Sequence, residues 1–312
     1  MINIGVDIGG TRTKIGLVQD GILVQKVIIE SSDHDNFQKN LENIDQTIRQ
    51  FSIAEIGTVG FAFPGIVDMN SKKVLSTPQK YEDAVNIDLE AWTKERFKAK
   101  FVIDNDARAA LIGEKFFGIA QSTDNFVIIT LGTGLGTSVM INGKVLYGKH
   151  FQAGCLGGHM SVKYNGNPCK CGNIGCAESE ASTLMLENYI KGNSSFQESK
   201  LSEVSVLDFY HLIQCVKEKD GLAQEILDHF IRVWSTLAIN LIHAYDPDLI
   251  VFFGGIMKSH EFILPKMKEI IDQQAWTPWG KVKLAKSSLG DDAGMLGITS
   301  DFYTDKDKRL FL

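Results

Sequence analysis

Several things are scarce in this sequence, and each scarcity narrows the reading. No apolar run reaches the length of a membrane span, because the longest candidates are broken by Gly, Asp or Lys, so no membrane partner is expected. Basic residues do not dominate: 32 Lys and Arg stand against 38 Asp and Glu, a formal net charge of -6. A nucleic-acid partner would require a basic face, so none is expected. Proline occurs six times without clustering, and no low-complexity segment or long charge run is present. A domain boundary must then be a compact crossover and not a floppy tether. No apolar targeting segment precedes the first strand, which points to a reducing cytoplasm. There is also no GxxxxGK[ST] phosphate loop. Gly132-Thr133-Gly134-Leu135-Gly136 has GxGxG spacing and is followed by a strand pattern, so it is not a dinucleotide fingerprint.

What is present fits a soluble α/β protein. The 312 residues suit two domains, with 44% hydrophobic and 22% charged residues. Ile2 to Asp7, Thr13 to Val18 and Ile22 to Ile29 read as strands joined by the glycine turn Gly9-Gly10-Thr11 and an Asp20-Gly21 hairpin. The same design returns as Phe126 to Leu131, Gly132-Thr133-Gly134, Gly136 to Ile141, Asn142-Gly143 and Lys144 to Tyr147. Thr11 precedes Asp20 by nine positions, and Thr133 precedes Asn142 by nine. This internal repeat implies a duplicated α/β architecture with a cleft between the halves. Helices are predicted over 36–51, 89–97, 107–117, 182–191, 205–217, 223–243 and 293–303, and further strands over 56–63, 101–103 and 249–253. The expected domains are 1–118 with a C-terminal helix from 293–312, and 119–292.

Cys169, Cys171 and Cys176 fall within eight residues, with Gly172 and Gly175 between them and His159 ten residues upstream. Three thiolates and one imidazole make the tetrahedral set favoured by structural zinc. Inert buried thiols and disulfides are the alternatives. The odd count of five cysteines and the expected reducing compartment favour a metal. From spacing alone His159 is the weakest of the four, since a lone histidine is more often a core residue.

The two glycine turns each present backbone N–H groups and a Thr hydroxyl, which can cradle phosphate, or can simply be hairpins. Gly254-Gly255 follows a buried strand in a similar way. Asp7 could meet magnesium, or form a turn with its own backbone; Lys14 could meet phosphate, or be solvated. Asn105-Asp106 lies where a strand ends and a helix begins, a place for ligands and equally for an ordinary cap. If Asp106 does chemistry, it acts as a base on a hydroxyl. Glu178, two residues after the last cysteine, could project an acceptor toward a polyol, or be an exposed surface group.

DIGGTRTKIGLV at 7–18, GFAFPGIVD at 60–68, DNDARAA at 104–110, LGTGLG at 131–136 and the loop from His159 to Glu178 together resemble the ROK family. The resemblance spans essentially the whole chain in order. It implies an actin-like ATPase, ribonuclease H-like fold in two domains around a cleft, and either a sugar kinase or a sugar-responsive repressor. The repressors carry an N-terminal DNA-binding helix-turn-helix; Met1 here opens directly into a strand, which speaks for the kinase branch. The resemblance implies Asp106 as catalytic base for a hexose 6-hydroxyl, and Gly65, Asn105, His159 and Glu178 as sugar ligands. His159 would also bind Zn2+ with Cys169, Cys171 and Cys176. Asp7, Gly9, Gly10, Thr11 and Lys14 match the first ATP phosphate segment, with Mg2+ at Asp7. Gly132, Thr133 and Gly134 match the second, and Gly254 and Gly255 the adenosine side. A homodimer or homotetramer is implied as well.

The chain departs from the family twice. Glucokinases of the family read Glu-x-Gly-His before the zinc loop, where this chain has Leu156-Gly157-Gly158-His159. A hydrogen bond to a charged group is worth roughly 1.5–3 kcal/mol, so plain glucose would bind more weakly by about one to two orders of magnitude. A β-glucoside or N-acylated amino sugar, modified at carbon 1 or 2, is expected instead. The second departure is Arg108, where many relatives have Asn; sequence offers no account of it.

Overall fold

A computed structural model describes residues 1–31, 36–77 and 80–304. In chain order these form β1 (Ile2–Ile8), β2 (Arg12–Gln19), β3 (Ile22–Glu30), α1 (Phe37–Gln50), β4 (Thr58–Phe63), β5 (Ile66–Asp68), β6 (Lys73–Ser76), α2 (Leu89–Phe97), β7 (Lys100–Asn105) and α3 (Asp106–Phe116). There follow β8 (Phe126–Leu131), β9 (Leu135–Ile141), β10 (Lys144–Val145), α4 (Ala177–Ala181), α5 (Thr183–Lys191), α6 (Phe209–Lys217) and α7 (Gly221–Tyr245). The chain closes with β11 (Leu249–Phe253), α8 (His260–Gln274), β12 (Lys283–Lys286), α9 (Ala293–Ile298) and α10 (Asp301–Thr304).

The predicted repeat is the plan of the fold. One sheet has the order β3-β2-β1-β4-β7 and the other β10-β9-β8-β11-β12. In the first, β1 pairs antiparallel with β2 and parallel with β4; in the second, β8 pairs parallel with β11, which pairs parallel with β12. Both hairpins turn through two left-handed residues, Asp20 and Gly21 at φ 51° and 78°, and Asn142 and Gly143 at φ 50° and 72°. This is the mirror-image turn whose twist matches that of paired strands. The chain forms two compact units, 1–124 with 138–155 and 287–312, and 125–137 with 156–286. Beside the stretches 1–118 and 293–312, the first unit therefore takes in 138–155.

The first unit is built tightly around α9, which lies against α3, β1 and β4. Backbone meets backbone at this seam. A Cβ on Gly297 would stand 1.8 Å from the Ala109 carbonyl oxygen, and one on Gly113 2.3 Å from that of Ala293. Gly5 and Gly60 meet the Met295 and Ile298 carbonyls in the same way, at 2.5 and 2.8 Å. The seam brings the start of α9 against Asp7, whose Cγ lies 3.3 Å from a Cβ position on Gly294. In the second unit α7 is the central helix. Its fully buried Trp234 donates from Nε1 to the Ala181 carbonyl at 2.9 Å, fixing the helix pair that follows the cysteine loop.

Several expectations are corrected. The predicted helix 293–303 is two helices, because the Thr299 hydroxyl bonds the Met295 and Leu296 carbonyls at 2.9 and 3.1 Å and the chain breaks there. The expected 205–217 helix starts at Phe209, where Asp208 caps it by accepting from the His211 N–H. Residues 305–312 lie outside the described residues. The β5–β6 hairpin, α4, α8 and β12 were not expected. The seam makes a direct prediction. Gly297→Ala should lower unfolding stability by about 1–3 kcal/mol, read as a lower urea midpoint; an unchanged midpoint would show that the helices can part without cost.

Candidate active site

Strand β7 passes into α3 without an intervening loop residue, and this junction carries the expected base. The Asn105 side chain caps α3, its Oδ1 accepting from Ala107 and Arg108 N–H at 3.0 and 3.2 Å. The cap is thus real. It does not use up the side chain, because Nδ2 donates to the Gly65 carbonyl at 3.0 Å and to Asp106 Oδ1 at 3.0 Å. Gly65 has φ 133°, and a Cβ there would stand 2.3 Å from the Ser76 carbonyl. One chain of hydrogen bonds therefore joins Gly65, Asn105 and Asp106. Burial, with the Asp7 charge second, pushes the Asp106 carboxyl up to about 7, against the opposing pull of the Ala107 N–H. That value suits a base working near neutrality.

Asp7 is the penultimate residue of β1, directly across the ladder from Lys14. Lys14 Nζ donates to Asp7 Oδ2 at 3.0 Å and to the Asp291 carbonyl at 3.3 Å. Burial works to lower the Lys14 pKa, but the Asp7 and Asp291 carboxylates outweigh it and the pKa is raised, keeping the ammonium charged. The following turn closes by a Gly9 N–H to Arg12 carbonyl bond of 2.9 Å. A Cβ on Gly10 would meet nothing within 4 Å, and Thr11 is exposed, so the turn faces open space. Tyr81 supports it from behind, donating to the Gly9 carbonyl at 3.3 Å.

The equivalent turn in the second unit is held from both ends. Thr183 N–H donates to the Gly132 carbonyl at 2.9 Å, and Leu135 N–H donates to Glu178 Oε2 at 2.9 Å. Thr133 is exposed at the tip, and a Cβ on Gly134 would stand 2.7 Å from Glu178 Oε2. Glu178 is therefore not a free surface group, since one carboxylate oxygen anchors this turn. Gly254 turns at φ 108° with the Leu131 carbonyl 2.3 Å from a Cβ position, and Gly255 faces open space.

The cysteine loop brings its four expected ligands together. The ligand atoms of His159, Cys169, Cys171 and Cys176 all lie within 4.8 Å of one another. Cys171 and Cys176 sulfurs are 3.7 Å apart, and Cys169 Sγ is 3.6 Å from His159 Nδ1. A tetrahedron with Zn–S near 2.3 Å and Zn–N near 2.05 Å has edges of about 3.8 Å and about 3.6 Å. The set fits a zinc ion, with Nδ1 as the imidazole ligand and Nε2 on the other side of the ring. Gly175, at φ 67°, lets the loop close where a Cβ would strike the Lys163 carbonyl at 1.8 Å. Burial first, then the neighbouring thiols, pushes Cys176 up to about 12; three thiols this close favour a cation that displaces their protons.

Two residues here escape a reading of the sequence. Glu180 is fully buried, takes the Asn167 N–H and accepts from Tyr189 OH at 3.0 Å, anchoring the loop from beneath. Thr137 accepts the Gly157 N–H at 2.9 Å, two residues before His159. Neither carries a spacing signal. A buried carboxylate and a strand hydroxyl look like any other until their partners are known.

These features belong to a known class. Solved structures with an actin-like ATPase fold match the chain closely. One is a ROK family glucokinase from Streptomyces griseus in complex with glucose and AMPPNP, with a TM-score of 0.84 and 27% identity, covering 96% of this chain and 98% of that one. The ROK family profile matches residues 3–302, and the chain belongs to that family. It is 32% identical over 305 residues to a glucokinase from Thermotoga maritima, covering 95% of this chain and 96% of the relative. It is also 30% identical over 243 residues to a xylose repressor from Bacillus subtilis, covering 78% of this chain and 60% of the repressor. Among the described residues no helix is long and apolar enough to cross a membrane.

The raised Asp106 pKa has a consequence for stability. The folded state keeps this proton up to about pH 7, whereas an unfolded chain releases it near about 3.9. Stability therefore falls as pH rises from about 3.9 to about 7 and levels off above that, where both states are ionised. Asp106→Asn should raise Tm most at pH 8 and progressively less toward pH 5. A gain that does not vary with pH, or one larger at pH 5, would contradict the assignment.

Proposed function

We propose that the protein is an ATP-dependent sugar kinase, transferring the γ-phosphoryl group of ATP to a hydroxyl of a hexose or hexose derivative, at the 6-position. The observation that carries this reading is Asp106, tuned to about 7 at the start of α3 and linked through Asn105 to Gly65. Its carboxylate takes the proton of the sugar hydroxyl as that oxygen bonds to the γ-phosphorus. The bond to the β-phosphate oxygen breaks, and ADP leaves with the electron pair. Gly65, Asn105, His159 through Nε2, and Glu178 through its second oxygen bind sugar hydroxyls. Gly9, Gly10 and Thr11, with Gly132, Thr133 and Gly134, offer N–H and hydroxyl groups to the phosphates, and Lys14 offers its charge. Gly254 and Gly255 border the adenosine. Asp7 is the carboxylate that meets Mg2+, which when bound neutralises phosphate charge. Homo-oligomerisation and a cytoplasmic location follow the same reading.

The Thermotoga maritima glucokinase and the glucose- and AMPPNP-bound Streptomyces griseus glucokinase support a kinase. The xylose repressor supports a second reading, a non-catalytic sugar sensor. Leu156 bears on the substrate. Its side chain is 39% exposed where family glucokinases have a glutamate, which supports a sugar carrying an apolar or bulky substituent at carbon 1 or 2.

A coupled ADP-release assay over glucose, N-acetylhexosamines and β-glucosides tests this. Turnover should be fastest on a substituted sugar and rise with pH through about 7. Asp106→Ala should cut kcat by about 10²–10⁴-fold while sugar binding persists. No ADP release with any sugar would favour the sensor, and fastest turnover on plain glucose would sink the substituted-sugar reading. Zinc is assigned a structural role, since four protein ligands leave no open position for water. Metal analysis should find one zinc per chain, and chelation should lower sugar affinity and Tm together. Full activity in zinc-free protein would contradict that role.

A further inference from the structure

Arg108 has no role in the chemistry above, yet it is fully buried. Its guanidinium lies 4.5 Å from the centroid of the Tyr147 ring. Nη1 is 3.7 Å from Asp104 Oδ1, and Nη2 donates to the Phe151 and Ala153 carbonyls at 2.9 and 3.0 Å. Asp104 is equally buried and accepts from Tyr147 OH at 2.5 Å, Tyr303 OH at 2.9 Å and Asn105 N–H at 2.7 Å. The pair is thus a buried charge cluster with partners from four segments of the first unit. Such a pair adds little net stability compared with apolar packing, so what it holds matters more than what it contributes.

It holds two stretches that the proposed function needs. On one side is the β7–α3 junction. Asp104 takes the Asn105 N–H, and the Arg108 N–H is one of the two donors that Asn105 caps. On the other side is the segment 148–155, which bends back through three left-handed residues, Gly148, Phe151 and Gly154, at φ 66°, 58° and 77°. At Phe151 this conformation carries a steric cost, because a Cβ crowds the following carbonyl. The carbonyls of Phe151 and Ala153 converge on the same guanidinium nitrogen, which offsets that cost. Cys155 follows, its thiol turned to the Gln152 carbonyl at 3.3 Å, and the next residue is Leu156. The segment that sets the path of the chain into Leu156–His159 is therefore gathered onto Arg108.

We propose that Arg108 is a positioning residue for sugar recognition. Through Asp104 it fixes Asn105 and Asp106, and through the Phe151 and Ala153 carbonyls it fixes the approach to Leu156–His159. The inference rests on the sugar-kinase reading. It also accounts for Arg where many family members have Asn: an Asn side chain has neither the reach nor the planar fork to join a carboxylate to two carbonyls.

Arg108→Met removes the guanidinium at similar volume. Should the unpaired Asp104 prevent folding, Asp104→Asn/Arg108→Met removes both charges and still lacks the two carbonyl bonds. Three quantities are measured on the full chain: hydrogen exchange across 148–156, sugar KM and ATP KM. Exchange of 148–156 should quicken by about tenfold or more. Sugar KM should rise by about tenfold while ATP KM stays within about twofold. Unchanged exchange overturns the proposal, as do sugar and ATP KM moving together or neither moving. If the wild-type protein turns over no sugar, the kinase reading falls by itself, and exchange with calorimetric sugar affinity in the same variants decides the role of Arg108.

Discussion

The structure depends most on the absence of any linker between β7 and α3. A strand that becomes a helix in one step must satisfy the first helical N–H groups with the side chain of its own last ladder residue. Asn105 does this, and its amide nitrogen is left to reach Gly65 and Asp106. The same compression places the Asp106 carboxyl in a dry position beside another carboxylate, Asp7, which lifts its pKa to about 7. The cap and the raised carboxyl are therefore one arrangement seen from two sides. The cap interpretation of Asn105 holds, and it leaves the neighbouring Asp106 carboxyl for the proposed chemistry.

The second unit solves a similar problem by different means. Its glycine turn is not held by a neighbouring strand tip but by helices that follow the cysteine loop, through Glu178 and Thr183. Cys176 immediately precedes α4, and Glu178 is the second residue of that helix. A metal held at the knuckle would fix the start of α4, and with it the group that anchors Leu135. The two sheets share one strand order, while the supports behind each turn differ.

Much of this was legible in the sequence where the signal is local. The Asp20-Gly21 and Asn142-Gly143 turns, the nine-residue spacing of the repeat, the strand ends near Asp7 and Asn105, and the clustering of Cys169, Cys171 and Cys176 all follow from residue type and spacing, whereas His159 needed the family resemblance. What escaped depends on partners far along the chain. Glu180 and Arg108 are charged residues whose burial no periodicity reveals, and Tyr303 reaches Asp104 from 199 positions away. Helix α8 was missed although Ile263, Met267 and Ile271 recur every four residues and are buried, because Pro265 interrupts the pattern. Arg108 looked anomalous because its explanation lies in the carbonyls of a distant loop.

The glycine seam around α9 has a bearing on how this chain can vary. Where side chains interlock, a larger residue on one side can be matched by a smaller one opposite. At Gly5, Gly60, Gly113 and Gly297 the opposing atoms are carbonyl oxygens, which every amino acid possesses. No reciprocal exchange exists there, so divergence in this unit is channelled to the outer helices and loops, while the ground beneath Asp7 and Asp106 stays fixed.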